Sequence, residues 1–143
     1  MRPLTSDTVL ALHSLHLMMR RNKPVTIGEI QRSSGFHRKE ILSVAAKLRR
    51  GELIRSQPGR GYVLAKAAGE ITLENIVHAV EHRCAPTAPC GGSFDACAVR
   101  GSCILAPLCR NAEQGFQETL RAFTLAELTD KALELPVCMD PKP

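Results

Sequence analysis

The sequence predicts a mainly α-helical chain with one small β-hairpin, arranged as a basic N-terminal unit followed by a cysteine-bearing unit. Three observations carry this. Apolar residues recur at helical spacing in several stretches, most of them opened by a Ser or Thr and closed by Gly, Asn or Pro. Two short β-type runs, Leu53-Ile54 and Tyr62-Val63-Leu64, flank the turn sequence Gln57-Pro58-Gly59-Arg60-Gly61. Charge also divides the chain: residues 1–70 hold 13 Lys/Arg against 5 Asp/Glu, while residues 71–143 hold 6 against 9.

The first helix is expected from Thr5 or Ser6 to about Arg21, with Val9, Leu12, His16 and Met19 on its inner stripe and Leu15 and Met18 widening it. Asn22, Lys23 and Pro24 end it. Thr26-Ile27-Gly28-Glu29 then reads as a capping box, opening a short helix that stops near Ser34-Gly35. A third helix is expected from about His37 to Arg50, with Ile41, Val44, Ala45 and Leu48 inward and Gly51 as a left-handed cap. Its other faces and last turn carry Arg38, Lys39, Lys47, Arg49 and Arg50. The hairpin follows, with Arg60 at its tip.

Three helices and a hairpin with a basic tip describe a winged helix-turn-helix over residues 1–70. In that arrangement the third helix enters the DNA major groove and the wing lies along the backbone or minor groove. The basic balance of this unit agrees with a polyanionic partner. Arg38 and Lys39, at the start of the third helix, are the candidates for base-edge or phosphate contacts. Lys47, Arg55 and Arg60 are the candidates for holding the backbone.

The second unit spans residues 71–135. Ile71 and Ile76 bracket Thr72 as a hydrophobic staple, opening a helix to about His82. A long helix is expected from about Ala106 through Leu108, Ala112, Phe116, Leu120 and Phe123, whose spacing suits a dimer seam. Thr124-Leu125-Ala126-Glu127 is a second capping box, starting a last helix to about Leu135. Residues 136–143 read as a flexible tail.

Between these helices lie the thiols. Five of the six cysteines fall within residues 84–109, in a segment broken by Pro86, Pro89, Gly91, Gly92, Gly101 and Pro107. Thiols gathered in this way form a metal site or a disulfide framework. The N-terminus reads as neither an export signal nor a membrane span, so a reducing cytoplasm is expected and structural disulfides are disfavoured there. For Cys97, Cys103 and Cys109 the choices are an iron–sulfur cluster, a zinc site or thiol switch, or no role. Their five-residue gaps are wider than those of zinc knuckles.

The chain resembles the IscR/NsrR family of winged-helix transcription regulators over nearly its whole length. The resemblance rests on Met1-Arg2 with Leu4-Thr5, Ile27-Gly28-Glu29-Ile30 leading to Gly35, and Lys47-Leu48-Arg49-Arg50-Gly51-Glu52-Leu53-Ile54. It continues in Gly59-Arg60-Gly61-Tyr62-Val63-Leu64, Glu70-Ile71-Thr72-Leu73, Cys103 to Cys109 around Ala106-Pro107, and Thr124-Leu125-Ala126-Glu127-Leu128. It implies a homodimer on a palindromic double-stranded operator, with an iron–sulfur cluster, 2Fe–2S in preference to 4Fe–4S, held on three cysteines. Cys97, Cys103 and Cys109 fall on those positions.

The fourth ligand departs from the pattern. The position of a relative's His holds Ala112, and that of a relative's carboxylate holds Val9. Asp7 is two residues earlier, about 200° around a helix. Cys84 and Cys90 are further candidates, as is a residue of a partner subunit. Cys138 stands alone, and His13, His16 and His37 read as structural or DNA-facing. No nucleotide-binding glycine motif or nucleophile constellation appears, so neither an enzyme nor a small-molecule substrate is expected. The rival readings are a cluster-free regulator with a Cys84/Cys90 thiol switch, and an iron–sulfur electron carrier.

Overall fold

A computed structural model describes residues 4–81, 98–99 and 101–132. Cys84, Cys90, Cys97, Cys138 and the 136–143 tail lie outside the described residues. Helix α1 (Ser6–Arg21) is capped by Thr5 and ends at Asn22, which adopts the left-handed conformation at φ 47°. Helix α2 (Ile27–Ser34) opens on the expected capping box. Thr26 Oγ1 accepts from the Glu29 amide at 3.2 Å, and Glu29 Oε2 accepts from the Thr26 amide at 2.8 Å. Helix α3 (Arg38–Arg50) follows Gly35 and Phe36, with His37 as its N-cap residue.

Two expectations are corrected here. The stripe that α1 buries is Thr8, Ala11, Leu15 and Met18 with Leu10 and Ser14, whereas Val9 is 51% exposed. Thr8 and Ser14 can turn inward because each finds a partner, Glu81 for one and the Leu10 carbonyl for the other. Gly51 is not left-handed; its φ is −77°, and Glu52 takes the positive φ of 58° instead. Gly51 is required by proximity, since a Cβ there would lie 2.8 Å from the Ala79 Cβ.

The wing pairs β1 (Ile54–Gln57) with β2 (Gly61–Leu64), Ile54 opposite Leu64 and Gln57 opposite Gly61. Val25 adds a further bridge through reciprocal bonds with Tyr62, at 2.9 and 2.8 Å. That contact brings Val25 so close that a Cβ on Gly61 would sit 2.3 Å from its carbonyl oxygen. A single 3-10 turn, Ala68–Glu70, then leads to α4 (Leu73–Glu81).

Helices α5 (Ala106–Ala122) and α6 (Leu125–Ala132) complete the described chain. The residues opening α4 and α6 lie side by side: Leu73 N donates to Phe123 O and Leu125 N to Ile71 O. Each opening is boxed by its own side chains, Thr72 with Asn75 and Thr124 with Glu127. Ile71, Ile76, Val80 and Leu125 therefore join Leu10, Leu15, Ile30, Ile41, Leu48 and Leu53 in one core. The hydrophobic core does not stop at residue 70.

Candidate nucleic-acid interface and thiol site

Helix α3 is anchored by Ile41, Val44, Ala45 and Leu48, as the apolar spacing predicts, which turns its other faces outward. Arg38, Lys39, Leu42, Ser43, Ala46, Arg49 and Arg50 are all exposed there. Glu40 is spent locally, accepting from the His37 amide at 2.9 Å. Arg55 on β1 and Arg60 in the hairpin turn are exposed as well. The hairpin tip is formed by Pro58-Gly59-Arg60, with Gly59 at φ 73°. Four of the five basic residues singled out from sequence thus face solvent on α3 and the wing.

Lys47 differs from those four. Its ammonium lies 2.6 Å from Asp7 Oδ2, with the lysine side chain only 21% exposed. This pair ties the last turn of α3 to the first turn of α1. The same pairing engages Asp7, the carboxylate considered for the fourth metal corner. Sequence reasoning missed this link because the two residues are 40 apart, and only the α1–α3 packing brings them together.

A second link joins α1 to the end of α4. Glu81 Oε1 accepts from the Thr8 hydroxyl at 2.6 Å, the Thr5 amide at 3.1 Å and the Thr5 hydroxyl at 3.2 Å. The start of α1 is thereby bonded both to α3 and to the last described residue before the cysteine-rich segment. Thr8 is fully buried, so its hydroxyl depends on this carboxylate.

Cys103 lies just before α5, where its carbonyl accepts from the Ala106 amide, and Cys109 is in the helix's first turn. Both are free thiols, partly exposed. Among the described helices, α5 stands out: it has no side-chain cap and no acidic residue in its first turn. Its N-terminal end therefore carries no acidic side chain to offset the positive end of the helix dipole, on the side where the two thiols lie. Pro107 suits the first turn because its missing N–H has no partner to lose. No group of three metal-ligating side chains occurs among the described residues, and Cys97 lies outside them.

Burial, with Arg20 and His13 nearby, lowers the pKa of His16 from its ordinary 6.5. The His13 ring is 3.1 Å from the Ser33 hydroxyl, joining α1 to α2, and His37 precedes α3. Among the described residues no helix is long and apolar enough to cross a membrane.

A helix-turn-helix with an attached hairpin, basic on its outward helix and wing, defines a DNA-binding regulator of the winged-helix class. Comparison with known proteins agrees. The Rrf2 family, described as an iron-dependent transcriptional regulator, matches residues 4–131, and the chain belongs to that family. The HTH-type transcriptional regulator IscR of Erwinia tasmaniensis is 29% identical over 129 residues, covering 89% of this chain and 73% of the relative. IscR of Pectobacterium carotovorum is 28% identical over 136 residues, covering 94% and 78%. Among solved structures, CymR, the global cysteine regulator of B. subtilis, superposes with a TM-score of 0.72 at 19% identity, covering 91% of this chain and 98% of CymR. T. potens IscR superposes at 0.71 with 20% identity, covering 96% and 93%.

Proposed function

We propose that the chain acts as a homodimeric transcription regulator whose affinity for a palindromic operator is set by an iron–sulfur cluster on Cys97, Cys103 and Cys109. Arg38 and Lys39 serve as base-edge or phosphate contacts, with Arg55 and Arg60 on the DNA backbone. Lys47 is a strut to α1 through Asp7 as well as a cation beside the backbone.

The observation that carries the switch is the hub at the start of α1. Glu81 immediately precedes the cysteine-rich segment and is bonded to Thr5 and Thr8; Asp7, between them, is bonded to Lys47 of α3. A change in how the segment after Glu81 is held therefore bears on the helix that carries the DNA contacts. Such coupling shifts the population of DNA-competent dimers only as far as the two states differ in free energy.

Two of the three proposed ligands lie in the described residues and support this reading. Cys103 lies just before α5 and Cys109 in its first turn, at a helix start without a side-chain cap or an acidic residue, where the dipole favours a negatively charged assembly. When bound, the cluster supplies a redox- or nitric-oxide-sensitive anchor for these thiolates. Of the expected seam, Leu120 is buried in the protomer, so exposed Leu108, with Leu105 at the N-cap, would supply the contact for a second subunit.

Anaerobic purification, with iron, sulfide and absorbance measured, followed by gel shifts of the loaded and iron-stripped protein, tests this. Bound iron and sulfide that fall in Cys103→Ser and Cys109→Ser, together with unequal operator affinities, are expected. Equal affinities of the two forms would sink the switch. A colourless, iron-free protein would instead favour a thiol pair at Cys84 and Cys90. Binding unaffected by salt would argue against phosphate contacts altogether.

A further inference from the structure

Six large apolar side chains are exposed among the described residues. Val9 is at the start of α1, and Val99, Ile104, Leu105 and Leu108 are near the thiol end of α5. Leu42 belongs to neither place. It is 42% exposed and lies on the outward side of α3, in its second turn. One helical turn before it is Arg38, one turn after it is Ala46, and Arg49 follows on the same side. Lys39, Ser43, Ala46 and Arg50 form the neighbouring row. A leucine surrounded by four exposed cations is poorly suited to an apolar protein partner or to a hydrophobic core. It is well suited to a polyanion that carries a small apolar group.

The major groove of DNA presents one such group, the C5-methyl of thymine. We propose that Leu42 reads the operator by packing on a thymine methyl, so that α3 selects a T·A pair at one position in each half-site. This rests on the reading that α3 is the helix in the groove. The short side chains of Ser43 and Ala46 beside it allow the helix to approach the base edges closely enough for the contact. Arg38, Lys39, Arg49 and Arg50 hold the helix on the flanking phosphates and bases, while Leu42 discriminates by shape and apolarity.

The test begins with selection of duplexes from a randomised library by the full chain, using both anaerobically purified and iron-stripped protein. Each thymine of the enriched duplex is then replaced singly by deoxyuridine, which removes only the methyl. At one position per half-site the wild type is expected to lose roughly three- to tenfold in affinity, the scale of one buried methyl group. Leu42→Ala should bind the thymine and deoxyuridine duplexes equally, and Leu42→Met should retain the discrimination. Since Leu42 lies outside the core, neither variant is expected to misfold, which circular dichroism checks. If Leu42→Ala keeps the full methyl penalty, or if no thymine methyl matters to the wild type, this inference is overturned while DNA recognition stands. If neither form of the protein enriches a duplex, the regulator reading is overturned and this inference with it.

Discussion

The two halves of α5 share one helix and have opposite surroundings. Toward its C-terminus Leu120 is 2% exposed, Arg121 Nε is 2.8 Å from Glu74 of α4, and the Phe123 carbonyl is bonded to the Leu73 amide. Toward its N-terminus Leu108 is 66% exposed, both cysteines are partly open, and the first turn is uncapped. One half is part of the protomer's own core. The other spends apolar side chains where, among the described residues, nothing in the protomer covers them. The proposed second subunit and bound group would give these side chains a partner.

Shortening one leucine in each half tests that contrast most strongly. Leu120→Ala should lower the unfolding free energy by about 2–5 kcal/mol, the cost of a cavity in a packed core. Leu108→Ala should change unfolding by less than about 0.5 kcal/mol in dilute protein, yet weaken self-association seen by sedimentation. Equal destabilisation by the two variants would show that the halves are not distinct.

The same contrast between enclosed and open positions divides the two glycines of the wing. Gly61 combines φ 117° with a Cβ position 2.3 Å from the Val25 oxygen, whereas Gly59, at φ 73°, has nothing near its Cβ position. Gly61→Ala should cost on the order of 3 kcal/mol, because backbone strain and a backbone clash act together. Gly59→Ala carries the conformational strain alone, about 1–2 kcal/mol. Urea unfolding of the two variants separates them; equal losses would mean that Val25 yields and its bridge to the wing is loose.

At the hub at the start of α1, the contribution to folding can be told from the part it plays in the proposed switch. Thr8→Val removes the buried hydroxyl that donates to Glu81, and should cost about 1–2 kcal/mol. Asp7→Asn breaks a pair whose side chains are partly exposed, so its effect on stability should be under about 1 kcal/mol. Both variants should narrow the difference in operator affinity between loaded and iron-stripped protein. Thermal unfolding and gel shifts read the two consequences separately. An unchanged affinity ratio in both variants would remove the hub from the proposed switch.

Much of this architecture was legible in the sequence because its signals are local. Thr26 with Glu29, and Thr124 with Glu127, are spaced to cap a helix whatever the rest of the chain does, and the inward set Ile41, Val44, Ala45 and Leu48 follows from period alone. The misreadings came from contacts that period cannot encode. The expected stripe of Val9, Leu12, His16 and Met19, widened by Leu15 and Met18, left out the polar Thr8, which is buried because its hydroxyl donates to Glu81, 73 residues away. Gly51 is the C-cap of α3 as expected, but its φ is not left-handed, and its small size serves the approach of Ala79. At the site the same division holds. The outward cations of α3 and the wing could be read from pattern, whereas Lys47 could not, since its partner Asp7 is brought to it by tertiary packing.

The smallest expected effect concerns the cap on α2, in the closed part of the molecule. The Thr26 amide, donating to Glu29, lowers the carboxyl's pKa below its ordinary 4.5; the Thr26 hydroxyl and Arg21 act in the same direction. A carboxyl whose pKa is lower in the folded than in the unfolded chain binds fewer protons when folded. Its stabilisation is therefore complete above pH 4.5 and is lost as pH falls through the folded value. Wild type should be slightly more heat-stable than Glu29→Gln at pH 7, with the gap closing below pH 4.5. Melting curves across that range check the sign: a gap that persists or widens in acid would mean that Glu29 contributes through packing of its side chain, not through its charge.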